Sequence, residues 1–88
     1  MLRISLSEAD GGAVTLRLDG QLTGLWVKLL LETSEARVEK GARVIIDLKN
    51  VSFVDREGCA VLRSLADRNV EIVNAMPFIA EQIRKAAQ

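Results

Sequence analysis

The densest cluster of reactive side chains is Asp55-Arg56-Glu57-Gly58-Cys59, which places two carboxylates, a guanidinium and the chain's lone cysteine within five residues. Asp55 stands where a helix N-cap would stand, its carboxylate accepting backbone N–H bonds at the helix start. That capping role is favoured over a chemical one. Glu57 follows in the first turn, where an acid gains about 0.3–1 kcal/mol against the helix dipole. An empty helix N-terminus is a place for phosphate, but Glu57 already brings negative charge to that end, and the glycines form no phosphate-cradling loop. Cys59 has two readings. A redox sensor requires a depressed thiol pKa and exposure, whereas a small apolar filler beside the corner, the commoner case, requires neither.

Catalysis needs acid, base or nucleophile converging in a pocket, and the sequence contains neither histidine nor tyrosine. Zinc sites of the usual type and histidine acid–base chemistry are thereby excluded. The remaining carboxylates read as solvated faces or caps. No enzyme and no cofactor is expected.

The elements that must position this corner follow from periodicity. Arg3–Ser7 and Ala13–Asp19 alternate apolar and polar residues, and Asp10-Gly11-Gly12 between them is hairpin chemistry. Leu22–Lys40 carries helical spacing, with Thr23 as N-cap and Gly41 as the stop. Leu22, Leu25, Trp26, Leu29, Leu30, Thr33 and Ala36 form its expected core face. Val27, Leu31 and Val38 lie nearly opposite, with Ser34 among them. That second stripe is a candidate second interface, since exposed apolar clusters often mark contacts, and a homodimer through it is an equal reading. Arg43–Leu48 is a near-continuous apolar run, as in a covered central strand. Asn50–Asp55 connects it to a helix over Arg56–Asp67, whose inner stripe is Gly58, Val61, Leu62, Leu65 and Ala66. Val70–Val73 is a further strand. A last helix begins near Pro77, which suits a first turn, with Met76, Ile79, Ala80, Ile83 and Ala87 inward.

The order is strand, strand, helix, strand, helix, strand, helix. Strands joined through helices imply parallel pairing by right-handed crossover, and the hairpin adds an antiparallel edge. The expected fold is therefore α/β, a mixed four-stranded sheet with helices mainly on one face.

With 88 residues, one domain is expected over residues 1–88. A chain this short buries only roughly 60–65% of its unfolded surface. Twelve basic residues balance twelve acidic ones and no run of like charge occurs. This argues against nucleic acid, which needs a clustered basic field, and against a polybasic membrane anchor. The N-terminus lacks the features of a signal peptide, and no stretch approaches the roughly 18 apolar residues of a membrane span. One cysteine permits no internal disulfide, which points to a reducing, cytoplasmic setting.

From Val44 to Gly58 the chain reads Val-Ile-Ile-Asp-Leu-Lys-Asn-Val-Ser-Phe-Val-Asp-Arg-Glu-Gly, and this segment resembles the STAS domain family. The family pattern is an apolar strand ending Asp-Leu-polar, then Val-x-Phe-apolar-Asp, then two small hydroxyl residues and a glycine opening a helix. Leu18-Asp19-Gly20 and the strand-plus-helix ending extend the resemblance over nearly the whole chain. The family includes bacterial anti-sigma factor antagonists, a subunit of lipid-transport ABC systems and the tails of sulfate transporters. The resemblance implies a STAS fold, with the corner Asp55, Arg56, Glu57, Gly58 and Cys59 as partner-binding surface and Asp47 and Asp19 as structural support. Asp47 would brace the loop that follows its strand. In the antagonists, the residue before the glycine is a serine phosphorylated by a partner kinase. Here it is Glu57, which has no hydroxyl to accept a phosphoryl group. Glu57 either imitates the phosphorylated state or simply suits the helix start.

Two functions follow from the resemblance. One is a non-catalytic protein-binding regulator of transcription, partnered by an anti-sigma-factor-like kinase. The other is a constitutive adaptor on the ATPase subunit of a bacterial ABC transporter. A small-ligand-sensing module is a further alternative, although no residue specifically requests a ligand.

Overall fold

The computed structural model describes residues 2–9 and 11–86. Its strands are β1 (Leu2–Glu8), β2 (Ala13–Leu22), β3 (Arg43–Val54) and β4 (Glu71–Val73), and its helices are α1 (Leu25–Glu39), α2 (Arg56–Asp67) and α3 (Pro77–Lys85). The sheet runs β1-β2-β3-β4. β1 and β2 pair antiparallel, with Leu2 opposite Gly20. β2–β3 and β3–β4 pair parallel, as strands returning through a helix must. The expected mixed α/β sheet is the one observed. Asp10 of the expected turn, Met1 and Ala87 lie outside the described residues.

One sheet face carries Val14, Leu16, Leu18, Val44, Ile46 and Leu48, all buried. The other carries Arg17 and Arg43, both exposed, with Thr15, Ile45 and Asp47 half-buried. The helices cover the first face, and Leu30, Leu62, Leu65, Ile79 and Ile83 complete the core.

β3 runs six residues beyond Leu48, the end suggested by its apolar run. Two bulges explain why simple alternation stops there. Between Arg17↔Asp47 and Asp19↔Asn50 β3 gains one residue, and between Gly20↔Val51 and Gln21↔Phe53 it gains another. Each extra residue moves the inward position by one, so Leu48, Val51 and Val54 are buried at intervals of three while Phe53 is left 48% exposed. Opposite the bulges, Gly20 has φ of 114°, a backbone conformation that glycine adopts without strain. β2 continues past Gly20 to Leu22, which is fully buried.

α1 departs most from expectation. It starts at Leu25, with Gly24 and not Thr23 at the N-cap. Its inward face is nearly the reverse of the one suggested by spacing. Val27, Leu30 and Ser34 are buried, and Leu31 and Val38 pack half-buried against the core. The stripe Val27, Leu31 and Val38, expected as an outward second interface, thus faces the core. Leu25 and Leu29 are outside, 85% and 43% exposed, and Trp26 lies half-buried at the core margin. The physical reason is composition: from Leu25 to Leu31 only Lys28 is polar. Several faces are equally apolar there, and periodicity cannot choose among them.

α2 has the expected bounds, although Ala66 is exposed. α3 turns Ile79 and Ile83 inward, while Met76, Phe78 and Ala80 are exposed. Val70 is buried just ahead of the short β4.

Candidate functional site

The corner is built where the bulged end of β3 delivers the chain into α2. Asp55 is half-buried there and spends both carboxylate oxygens on backbone. Oδ1 accepts the Gly58 N–H at 2.7 Å, which caps α2, and Oδ2 accepts the Gly24 N–H at 3.0 Å, at the start of α1. Its own N–H donates to the Leu22 carbonyl at 3.1 Å. The side chain therefore ties together the starts of two helices, and the backbone N–H of the same residue ties both to the end of β2. Glycine at 58 is a packing requirement. A Cβ there would lie 2.6 Å from Val54 Cγ1 and 3.1 Å from both Asp55 Oδ1 and the Leu22 carbonyl oxygen.

Arg56 and Glu57 point to solvent from the first turn of α2, and neither is in an ion pair among the described residues. Gly58 and Cys59 are buried. The five residues singled out in the sequence therefore divide into two accessible charges, one double cap and two packed positions. Burial, helped by the Asp55 carboxylate, pushes the Cys59 thiol above its usual pKa. That is the opposite of the activation a redox sensor needs.

An open cleft of about 680 Å³ runs along this corner, between the β3 end, α2 and the last turn of α3. Phe53, Cys59, Ala60 and Ala86 give it apolar walls, and Arg56, Glu57, Gln82 and Lys85 give it a polar rim. A smaller groove of about 320 Å³ lies on the other flank of α2, with Glu57 and Ala60 common to both. Phe53 and the α3 residues were absent from the sequence-derived site. Phe53 lay in a segment read as a connection, and the α3 contribution depends on tertiary packing.

Asp47 accepts the Lys49 N–H at 2.9 Å and the Asn74 side-chain amide at 3.2 Å. The Lys49 backbone bond, then Asn74 and the nearby Arg17 and Lys49 charges, hold its carboxyl below the usual range against a modest burial penalty. It sits at the first bulge of β3, away from the cleft lining. Asp19 is half-buried on β2, opposite Arg3 and Asn50. No cluster of three metal-ligating His, Cys, Asp or Glu side chains occurs among the described residues. None of the described helices is long and apolar enough to cross a membrane.

This fold and corner define a STAS-type α/β domain. A family model described as "Mlab, STAS domain" matches residues 5–87, and the chain belongs to that family. Solved structures share the fold at low sequence identity. The unphosphorylated anti-sigma factor antagonist SpoIIAA superposes with a TM-score of 0.73 and 20% identity, over 90% of this chain and 79% of that one. The phosphorylated form of SpoIIAA from Bacillus gives 0.70 and 20%, over 97% and 86%. The STAS domain of an anti-sigma factor antagonist from Rhodobacter sphaeroides gives 0.60 and 23%, over 83% and 86%. No curated protein matches this chain.

Proposed function

We propose that the chain is a non-catalytic regulatory module that docks a protein partner on the α2 corner, with no phosphoryl transfer at Glu57. The observation that carries this reading is the 680 Å³ cleft set against that corner, which offers exposed Phe53 beside the free charges of Arg56 and Glu57. Apolar walls with a charged rim are what a protein interface uses, and the double cap keeps the ridge between the two grooves in one geometry. Membership of the STAS family and the shared fold with anti-sigma factor antagonists support a signalling partner. The lone buried cysteine suits a reducing cytoplasm.

Glu57 supplies a permanent charge of about −1, against roughly −1.5 to −2 for a phosphoserine. A fixed charge favours a constitutive contact, and on that observation stands a second reading, an adaptor held on a transporter ATPase. Affinity purification of the tagged native protein, repeated with Glu57→Lys, Glu57→Ser and Glu57→Ala, tests both. A kinase-like ATPase that is lost with Glu57→Lys supports the regulator, and a transporter ATPase lost in the same way supports the adaptor. Equal recovery with wild type and all three variants would remove the corner from the interface. Weak recovery with both Ser and Ala, against strong recovery with Glu, assigns the charge a direct role.

A further inference from the structure

The most exposed large apolar side chain of the described residues is Leu25, on the outer face of α1 and not part of the β3–α2–α3 cleft lining. Leu29 is 43% exposed one turn further on, and Glu32 and Ala36 continue the same exposed face. Positions 25, 29, 32 and 36 alternate in steps of four and three, the spacing of a helix–helix seam. Lys28 and Glu32 on this face are both exposed, and neither is ion-paired among the described residues.

We infer that this face binds the same face of a second copy, with the two α1 helices antiparallel about a two-fold axis near residues 30 and 31. Antiparallel pairing at that level sets Leu25 over the partner's Ala36, whose small side chain leaves room for a leucine. It sets Lys28 opposite the partner's Glu32, and the symmetry repeats both contacts. The two Leu29 side chains flank the axis. A parallel copy would oppose Lys28 to Lys28 and Glu32 to Glu32, so the charges select the antiparallel arrangement. It is this reciprocity of charge that identifies the occupant as the chain itself. The seam runs from Leu25 to Ala36 within α1, about 18 Å at 1.5 Å per residue. A contact one helix long is at the small end of specific interfaces, so a dissociation constant on the order of 10–100 μM is expected. The larger cleft draws no residue from α1, so the dimer leaves it open on both copies. Lys28 borders only the smaller groove beyond Glu57, and the docking reading neither requires this inference nor falls with it.

Sedimentation equilibrium of the whole chain from about 10 μM to 1 mM spans the weak range concerned. Wild type is expected to shift from monomer to dimer across it. Leu25→Glu and Leu29→Glu should stay monomeric, with circular dichroism unchanged because both positions are already solvated. Lys28→Glu should weaken the dimer about tenfold, since two exposed ion pairs become repulsions. Adding Glu32→Lys in the same chain should restore the affinity to within about twofold, because both pairs re-form with reversed sign. Monomer at every concentration overturns the inference. So does a dimer indifferent to Leu25→Glu and Leu29→Glu, or a double charge swap no better than the single one.

Discussion

Removing the Asp55 carboxylate should loosen two helix starts at once. In wild type each oxygen holds a different backbone N–H, Gly58 at 2.7 Å and Gly24 at 3.0 Å. An ordinary N-cap is worth about 0.5–2 kcal/mol, and a hydrogen bond to a charged group about 1.5–3 kcal/mol where it is buried. Asp55 is half-buried, which places each bond near the lower figure. Asp55→Ala should therefore cost about 2–3 kcal/mol. Asp55→Asn retains one acceptor oxygen but turns an amide donor toward the other N–H, and should cost about 1–2 kcal/mol. A domain of this size stores only about 5–10 kcal/mol, so the alanine variant should melt roughly 10–20 °C lower. Urea unfolding followed by circular dichroism measures both, and a constant m-value licenses the comparison. Two results would refute the reasoning: an alanine cost below about 0.5 kcal/mol, typical of a surface change, or asparagine equal to aspartate, which would mean that only one oxygen matters.

Asp47 makes stability depend on acid pH. Its folded-state pKa is below the ordinary 3.8, so the unfolded chain binds its proton first as pH falls. The stabilisation is complete above that ordinary value and disappears as pH drops through the folded-state value. Asp47→Asn should flatten the stability–pH curve below about pH 4 in acid titrations monitored by urea midpoint. Ser34 is fully buried on α1 with no hydrogen-bond partner for its hydroxyl among the described residues. Ser34→Ala should raise stability by about 1 kcal/mol, the desolvation cost of an unpaired hydroxyl, as read from the urea midpoint; a loss would reveal a bond the hydroxyl makes. Cys59, buried with its pKa raised, should react with a thiol reagent at pH 8 at least about tenfold more slowly than in urea-unfolded chain, because only the exposed thiolate attacks.

How legible these features were in the sequence depends on the range over which each is determined. Asp55 as a cap and α2 over Arg56–Asp67 could be read directly, because a cap and its helix are contiguous. The sheet order was also readable, since a hairpin signal and two strand–helix–strand passages leave few topologies. The second Asp55 bond joins residues 31 apart, and nothing local to Gly24 announces it. Spacing selects the wrong face of α1 because the first two turns of the helix are apolar nearly all round. The bulges at Leu48–Asn50 and Val51–Phe53 were invisible for a different reason. A bulge is a relation between two strands, so one strand's alternation shows only that the pattern stops.

Those missed features are the ones that give the corner its shape. Without its bulges β3 would keep its alternation, in which Val54, an even position like Val44, Ile46 and Leu48, would still turn inward but Val51 would turn out. With them, Val51 and Val54 both pack beneath the corner and Phe53 stands between them at the cleft wall. The strand end is thereby pinned at two buried valines, and its next residue is pinned by both carboxylate oxygens and its own N–H. Glycine at 58 then allows α2 to close onto Val54 and the Leu22 carbonyl with no side chain between them. A site held at that many points has little freedom to rearrange when charge is added or removed at its rim. On the proposed docking reading, a change in Glu57 should therefore alter partner affinity far more than it alters the fold.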